Sequence, residues 1–274
     1  MARASSQAEL APASPNAPNG LRAGNGRVAE YSFASAAFGR ARRLWVYTPP
    51  GYSTPKATDH DLLVVFDGDQ YLTEIPLPRM LDSLLAAKRI APTVALFVDD
   101  SSGRARLDDL ANHQRFVTFI GDELMPWIRR NWKVTHDPHR STVTGSSAGG
   151  LASAFLALRR SDLFGNVLSQ SGAFWRGAEG SNGPPFEWLT SQYASSPKRD
   201  VRFFLDVGST ENRGAIGGTA PSILDANRRL RDALRAKGYE VNYTEVPGGE
   251  HRPESWRQRL PLGLVMLART EARP

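Results

Sequence analysis

Gly145-Ser146-Ser147-Ala148-Gly149 follows a short β-branched run, Ser141-Thr142-Val143-Thr144, and opens an Ala/Leu-rich helix from Gly150 to Arg159. A G-x-S-x-G pentapeptide between a strand and a helix describes a turn so sharp that its serine takes a strained backbone conformation. Small flanking residues keep side chains from colliding there. The turn lifts Ser147 Oγ above the edge of a sheet and sets the Ala148 N–H beside it at a helix N-terminus. Glycine and serine are common in loops, so the pentapeptide gains its weight from the strand before it and the helix after it.

Working outward, hydrophobic runs and helical periods alternate from about residue 28 to the C-terminus. Strands are predicted at Val28–Phe33, Arg43–Tyr47, Leu62–Phe66, Val94–Val98, Thr142–Thr144, Asn166–Ser169, Arg202–Val207 and Val241–Val246. Leu62–Phe66 and Val94–Val98 are apolar on both faces, as strands in the centre of a parallel sheet covered on each side must be. The first two runs are less uniformly apolar and joined by a short link, which suits an antiparallel edge. Phe116, Phe119, Ile120, Leu124, Trp127 and Ile128 recur at helical spacing from His113 to about Asn131. Ile223, Leu230 and Leu234 do so before Gly238, a helix terminator. The final helix begins near Trp256 and Arg257, where Trp256 is read as a packing residue.

This alternation predicts an α/β class: a mostly parallel central sheet of about eight strands, helices on both faces and no large lid. The first 25 residues are rich in Ala, Ser, Pro, Asn and Gly and lack the apolar core of a signal peptide. They are read as a disordered tail (1–25) ahead of one catalytic domain (26–274). A cytoplasmic location is expected, or a periplasmic or secreted one if a leader has been removed. No stretch approaches the ~20 apolar residues of a membrane span.

The chain has no cysteine, which excludes disulfides, thiolate catalysis and Cys-based metal sites. The formal charge of +6 is carried mainly by arginine; it suits either a solvated surface or an anionic substrate. The basic residues are scattered and form no nucleic-acid-binding motif, so no nucleic acid partner is expected. His136-Asp137-Pro138-His139 lacks a third ligand, and Pro138 breaks any helix there, so neither metal nor cofactor is expected.

G-x-S-x-G in this setting resembles the nucleophile elbow of the α/β-hydrolases, whose triads run Ser, then Asp or Glu, then His along the chain. Of five histidines, only His251 lies after Ser147, in the Gly-rich loop Val246 to His251 behind the last strand. The acid should follow Arg202–Val207. Glu211, in the loop at the carboxyl end of that strand, is preferred. Asp206, inside the strand, and a Ser–His pair without an acid remain open. The acid's task is to fix the imidazole tautomer and stabilise the imidazolium. The oxyanion donors are expected to be the backbone N–H groups of Asp69, after the Asp67-Gly68 turn, and of Ala148. For Asp67 itself a plain turn role is the simplest expectation.

Many short matches then point one way: Trp45 to Tyr52, Phe66-Asp67-Gly68, Arg106 to Asn112, Asp122 to Trp127, Gly145 to Gly150, Leu163-Phe164-Gly165, Leu168 to Trp175, and His251 followed by Trp256-Arg257. On these the chain resembles the esterase D-like branch of the α/β-hydrolases, above all the catalytic domain of enterochelin (enterobactin) esterases. The resemblance implies a serine hydrolase opening the esters of a small molecule, siderophore lactones included, with Ser147, Glu211 and His251 as triad. It also sets Arg106, Trp175, Gly68 and Tyr71 where substrate-lining residues belong. The plainer expectations are a core tryptophan at 175 and an ion pair of Arg106 with Asp108 or Asp109. Arg104, Arg176, Arg213 and Arg252 fall in loops near the mouth, and convergence of two would suit an anionic or aromatic ester. Glu250 stands where a third glycine often precedes the histidine, and Tyr71 where a tryptophan is common. Full-length enterochelin esterases usually carry an N-terminal β-rich domain; the tail here is too short for one, so a stand-alone form, which the family also contains, is expected. The same branch contains feruloyl and acetyl esterases and acyltransferases, and a non-catalytic carrier could keep the fold.

Overall fold

The two-sided apolar runs and the alternating ones become eight strands in the computed structural model, which describes residues 25–52, 59–99, 106–107, 109–110 and 114–268. They are β1 (Arg27–Ser35), β2 (Arg40–Thr48), β3 (Asp61–Val65), β4 (Thr93–Val98), β5 (Ser141–Ser146), β6 (Asn166–Gln170), β7 (Arg202–Gly208) and β8 (Glu240–Val246). One sheet contains them all, in the order β1-β2-β4-β3-β5-β6-β7-β8. β1 with β2 and β2 with β4 are antiparallel; the remaining pairs are parallel. The antiparallel edge lies where the less apolar first two runs predict it.

Alternation along the strands divides the core between the two faces of the sheet. Leu62 and Val64, Val94, Leu96 and Val98, and Phe203 and Leu205 belong to one cluster. Leu63 and Val65, Ala95 and Phe97, and Phe204 belong to the other. The second face is covered by α1 (Gly68–Thr73), α2 (Leu77–Ala86) and, later in the chain, a helix from Pro253 to Ala268. The first face is covered by α3 (Gln114–Thr118) and α4 (Met125–Asn131), α5 (Ala148–Arg159), α6 (Trp188–Ser195) and α7 (Ile223–Ala236). The Pro253–Ala268 helix is α8.

The helix expected from His113 to Asn131 differs in one respect, and its first residue, His113, lies outside the described residues. Between α3 and α4 the backbone widens into a π turn, Phe119–Leu124, in which the Met125 N–H bonds back to the Ile120 carbonyl. Pro126 has no N–H to offer the Asp122 carbonyl, so the ordinary i→i−4 ladder cannot run through this point. α7 ends before Gly238, which sits at φ +76° as a helix terminator should. Of the expected N-terminal tail, only Asn25 is among the described residues; its N–H bonds Asp82 Oδ2 at 3.0 Å. No helix among the described residues is long and apolar enough to cross a membrane.

Candidate active site

Where β5 ends, Ser147 adopts φ 54°, ψ −116° and α5 starts at the next residue. A positive φ at a non-glycine residue costs on the order of 1–3 kcal/mol and persists only when its surroundings impose it. Here they do. The Ser147 N–H is held by the Gln170 carbonyl at 2.9 Å, and the Ser147 carbonyl accepts the Ala173 N–H at 2.9 Å. The glycines of the pentapeptide have a steric cause, since a Cβ on Gly145 would lie 2.7 Å from the carbonyl carbon of Gly149. The Ala148 N–H opens a twelve-residue helix, so it has no intrahelical acceptor and sits at the positive end of the helix dipole.

Ser146, Gln170 and Asp206 are neighbours across β5, β6 and β7. The residues that follow them, at the carboxyl ends of these strands, therefore crowd together. His251, just past β8, meets Glu211 there: Nδ1 lies 2.6 Å from Glu211 Oε2. An Nδ1–H directed at that carboxylate leaves Nε2 as the basic nitrogen. The other carboxylate oxygen, Oε1, accepts from Ser171 Oγ at 2.6 Å and from the Gly208 N–H at 2.8 Å. Burial alone would raise the Glu211 carboxyl, but the bonds from His251, Ser171 and Gly208 outweigh it and hold the group below its ordinary range. Among the described residues no hydrogen bond joins Ser147 Oγ to His251.

Asp206, the competing acid, faces elsewhere. It accepts Gln170 Nε2 at 3.1 Å and lies 3.0 Å from Arg259 Nε of α8. Burial pushes its carboxyl up to about 7 despite Arg259 and Gln170.

Asp67 takes the left-handed conformation, φ 54°, and starts α1, so the Asp69 N–H in the first turn also lacks an intrahelical acceptor. Asp67 is more than the plain turn residue expected. Its buried carboxylate is gripped bidentately by Arg106 Nε and Nη2. Asp109, one expected partner of Arg106, instead binds Arg40 and Arg42, the latter at 2.9 Å; Asp108, the other, lies outside the described residues. Gly68 is buried against Phe97 of β4. Tyr71 is fully buried with its hydroxyl 3.3 Å from Gln170 Oε1. Neither offers solvent-facing surface. Trp175 is packed in the core cluster, 7% exposed, with the Arg176 guanidinium 4.8 Å over its ring. Burial, and after it the charge of Arg106, lower Arg176, whose guanidinium donates to the Gly180 carbonyl and Asn182 Oδ1. Arg252 is drawn onto Glu250 at 2.6 Å, and Arg104 lies outside the described residues.

Two residues at this place carried no functional role from sequence. Ser171 is completely buried at φ +49°, and Trp256 is placed as packing although its indole N–H donates to Ser171 Oγ at 3.0 Å. A buried tryptophan needs an acceptor, and its place five residues after His251 was the available signal. His139 pairs with Asp200 at 3.2 Å, and among the described residues no group of three or more His, Cys, Asp or Glu could hold a metal ion.

A family model described as "Putative esterase" matches residues 35–267. The chain is 30% identical over 255 residues to an iron(III) enterobactin esterase of Dickeya dadantii (strain 3937), covering 88% of this chain and 55% of that protein. It thus spans little more than half the length of that curated relative. A crystal structure of an enterobactin esterase from Shigella flexneri, in the presence of 2,3-di-hydroxy-N-benzoyl-glycine, superposes with a TM-score of 0.75 at 27% identity, over 88% of this chain and 59% of that one. A ferulic acid esterase shares the fold with a TM-score of 0.72 at 17% identity, covering 89% and 98% of the two chains.

Proposed function

The chain belongs to the esterase family, and from that premise we propose that it is a serine carboxylic ester hydrolase working through Ser147, His251 and Glu211. The observation that carries the reading is the 2.6 Å bond from His251 Nδ1 to Glu211, made at the same carboxyl edge of the sheet where β5 ends in a serine held at positive φ. His251 Nε2 takes the Ser147 proton as Oγ attacks the ester carbonyl, and Glu211 stabilises the imidazolium that forms. The oxyanion rests on the N–H groups of Asp69 and Ala148, each worth roughly 3 kcal/mol in the transition state. The imidazolium protonates the departing alcohol. Water, activated by the same imidazole, then frees the acyl group.

The substrate we propose is a small ester with anionic or aromatic groups, a siderophore lactone of the enterobactin kind being the leading candidate. In support, Arg176 sets its guanidinium 4.8 Å over the Trp175 ring, a cation stacked on an aromatic face. The names of the relatives favour the same class. Ser147→Ala should cut p-nitrophenyl acetate turnover by roughly 10⁵–10⁶-fold and leave the far-UV circular dichroism intact. Retained turnover in that variant removes the mechanism. Ferric siderophore trilactones assayed beside feruloylated and acetylated sugars decide the substrate class, with the highest kcat/KM expected on the trilactones.

A further inference from the structure

Ser171 has a hydroxyl whose hydrogen-bonding capacity is fully used. A serine oxygen can accept at two lone pairs and donate one proton. Both acceptor positions are occupied by donors far along the sequence: Trp256 Nε1 at 3.0 Å and Arg259 Nη2 at 3.2 Å. The one proton is thereby committed to Glu211 Oε1, 2.6 Å away. The residue is wholly buried, so no solvent competes for it. Its φ of +49° is unusual for serine and aims the side chain at the acid. Trp256 also presses edge-on against the His251 ring, with centroids 5.1 Å apart at 88°. Behind Arg259 stands Asp206, so the first residues of α8 and the ends of β6 and β7 converge on one hydroxyl.

We propose that Ser171 is a positioning residue for ester hydrolysis: locked by Trp256 and Arg259 as an obligate donor, it keeps Glu211 turned so that Oε2 faces His251 Nδ1. This rests on the triad reading above. A mobile Glu211 could swing to a rotamer that leaves the imidazole free to take the wrong tautomer, and with three donors on two oxygens it cannot.

The test uses the full chain with Ser171→Gly and Trp256→Phe. Glycine removes the hydroxyl and accepts positive φ without strain, so lost activity cannot be laid to the backbone. Ser171→Gly should lower kcat on p-nitrophenyl acetate by about 10- to 100-fold, the range for one hydrogen bond to a charged group, with KM little changed. Trp256→Phe, which keeps the hydroxyl but loosens its orientation, should lower kcat less. The far-downfield proton resonance of His251 Nδ1–H, assigned by its disappearance in Glu211→Gln, should shift or broaden in both variants. A role confined to packing would lower the urea midpoint and leave kcat per folded molecule and this resonance alone. Folded Ser171→Gly with wild-type kcat and an unmoved resonance overturns the proposal. An inactive wild type, or an active Ser147→Ala, would instead sink the triad reading. The resonance needs no substrate and still reports whether Ser171 governs the Glu211–His251 bond.

Discussion

Glu211 receives three hydrogen bonds on two oxygens, from His251, Ser171 and Gly208, and for a buried carboxylate that is what ionisation requires. Burial raises its pKa, the donors lower it, and the donors win. The linkage sign follows. A folded-state value below the unfolded one contributes stability that is present above the unfolded value, 4.5, and is lost as pH falls through the lowered folded value. Glu211→Gln should therefore be less stable than the wild type at neutral pH, and the two should converge as the pH falls from 4.5 through the lowered folded value. Urea midpoints across pH 3–8 check this; a deficit that stays constant over that range would show that the charge is not its source. The same variant should lose roughly 10³–10⁴-fold in kcat with KM nearly unchanged, because glutamine cannot hold the productive tautomer.

At the scale of elements, the proposed triad depends on a contact between two loops. The turn after β7 and the turn after β8 meet where the Gly249 carbonyl accepts Thr210 Oγ1 at 2.6 Å, and the Gly248 N–H binds Ser209 Oγ at 2.9 Å. The backbones approach so closely that a Cβ on Gly208 would collide with the Gly249 carbonyl and lie 2.8 Å from Glu211 Oε1. Gly208→Ala must push the His251 loop away from the acid. It should lower kcat at least about 10-fold and stability by about 1–3 kcal/mol, the usual cost of overpacking, while Ser147 stays reactive towards a fluorophosphonate at a reduced rate. An alanine variant with wild-type kcat would show that the loops are not held in register here. Sequence reading reached these elements because strands and turns leave local signals: β-branched runs, two-sided apolar stretches, Gly248-Gly249 before His251. It missed the π turn at Phe119–Leu124, since apolar spacing survives one inserted residue and only Pro126 marks the break. The loop contact itself joins residues about 40 apart and has no period to read.

Across the whole molecule, the least legible feature is the bridge between the sheet and its last helix. Asp206 on β7 and Arg259 on α8 are 1% and 6% exposed, and they meet at 3.0 Å beneath the site. From sequence Asp206 was a rival for the acid role, and Arg259 carried nothing. Which of two nearby carboxylates faces a histidine depends on strand parity and on a helix that begins 47 residues after Asp206. Burial lifts Asp206 to about 7, against Arg259 and Gln170. A folded value above the unfolded one, 3.8, means its contribution to stability is full below 3.8 and is lost as pH rises through about 7. Between those values the native state binds the proton that the unfolded chain has released, so stability should fall with rising pH by at most about 1.4 kcal/mol per pH unit from this group. The slope runs opposite to that of Glu211, so the total curve cannot isolate it, but a difference can. Asp206→Leu combined with Arg259→Met removes both charges together and avoids stranding either one, which for a buried pair costs about 3–5 kcal/mol. The stability of the wild type minus that of the double variant should be greatest near pH 4 and shrink steadily towards pH 8. A difference that is flat across this range would mean that Asp206 stays ionised throughout, and that the sheet and α8 are joined by a permanent ion pair.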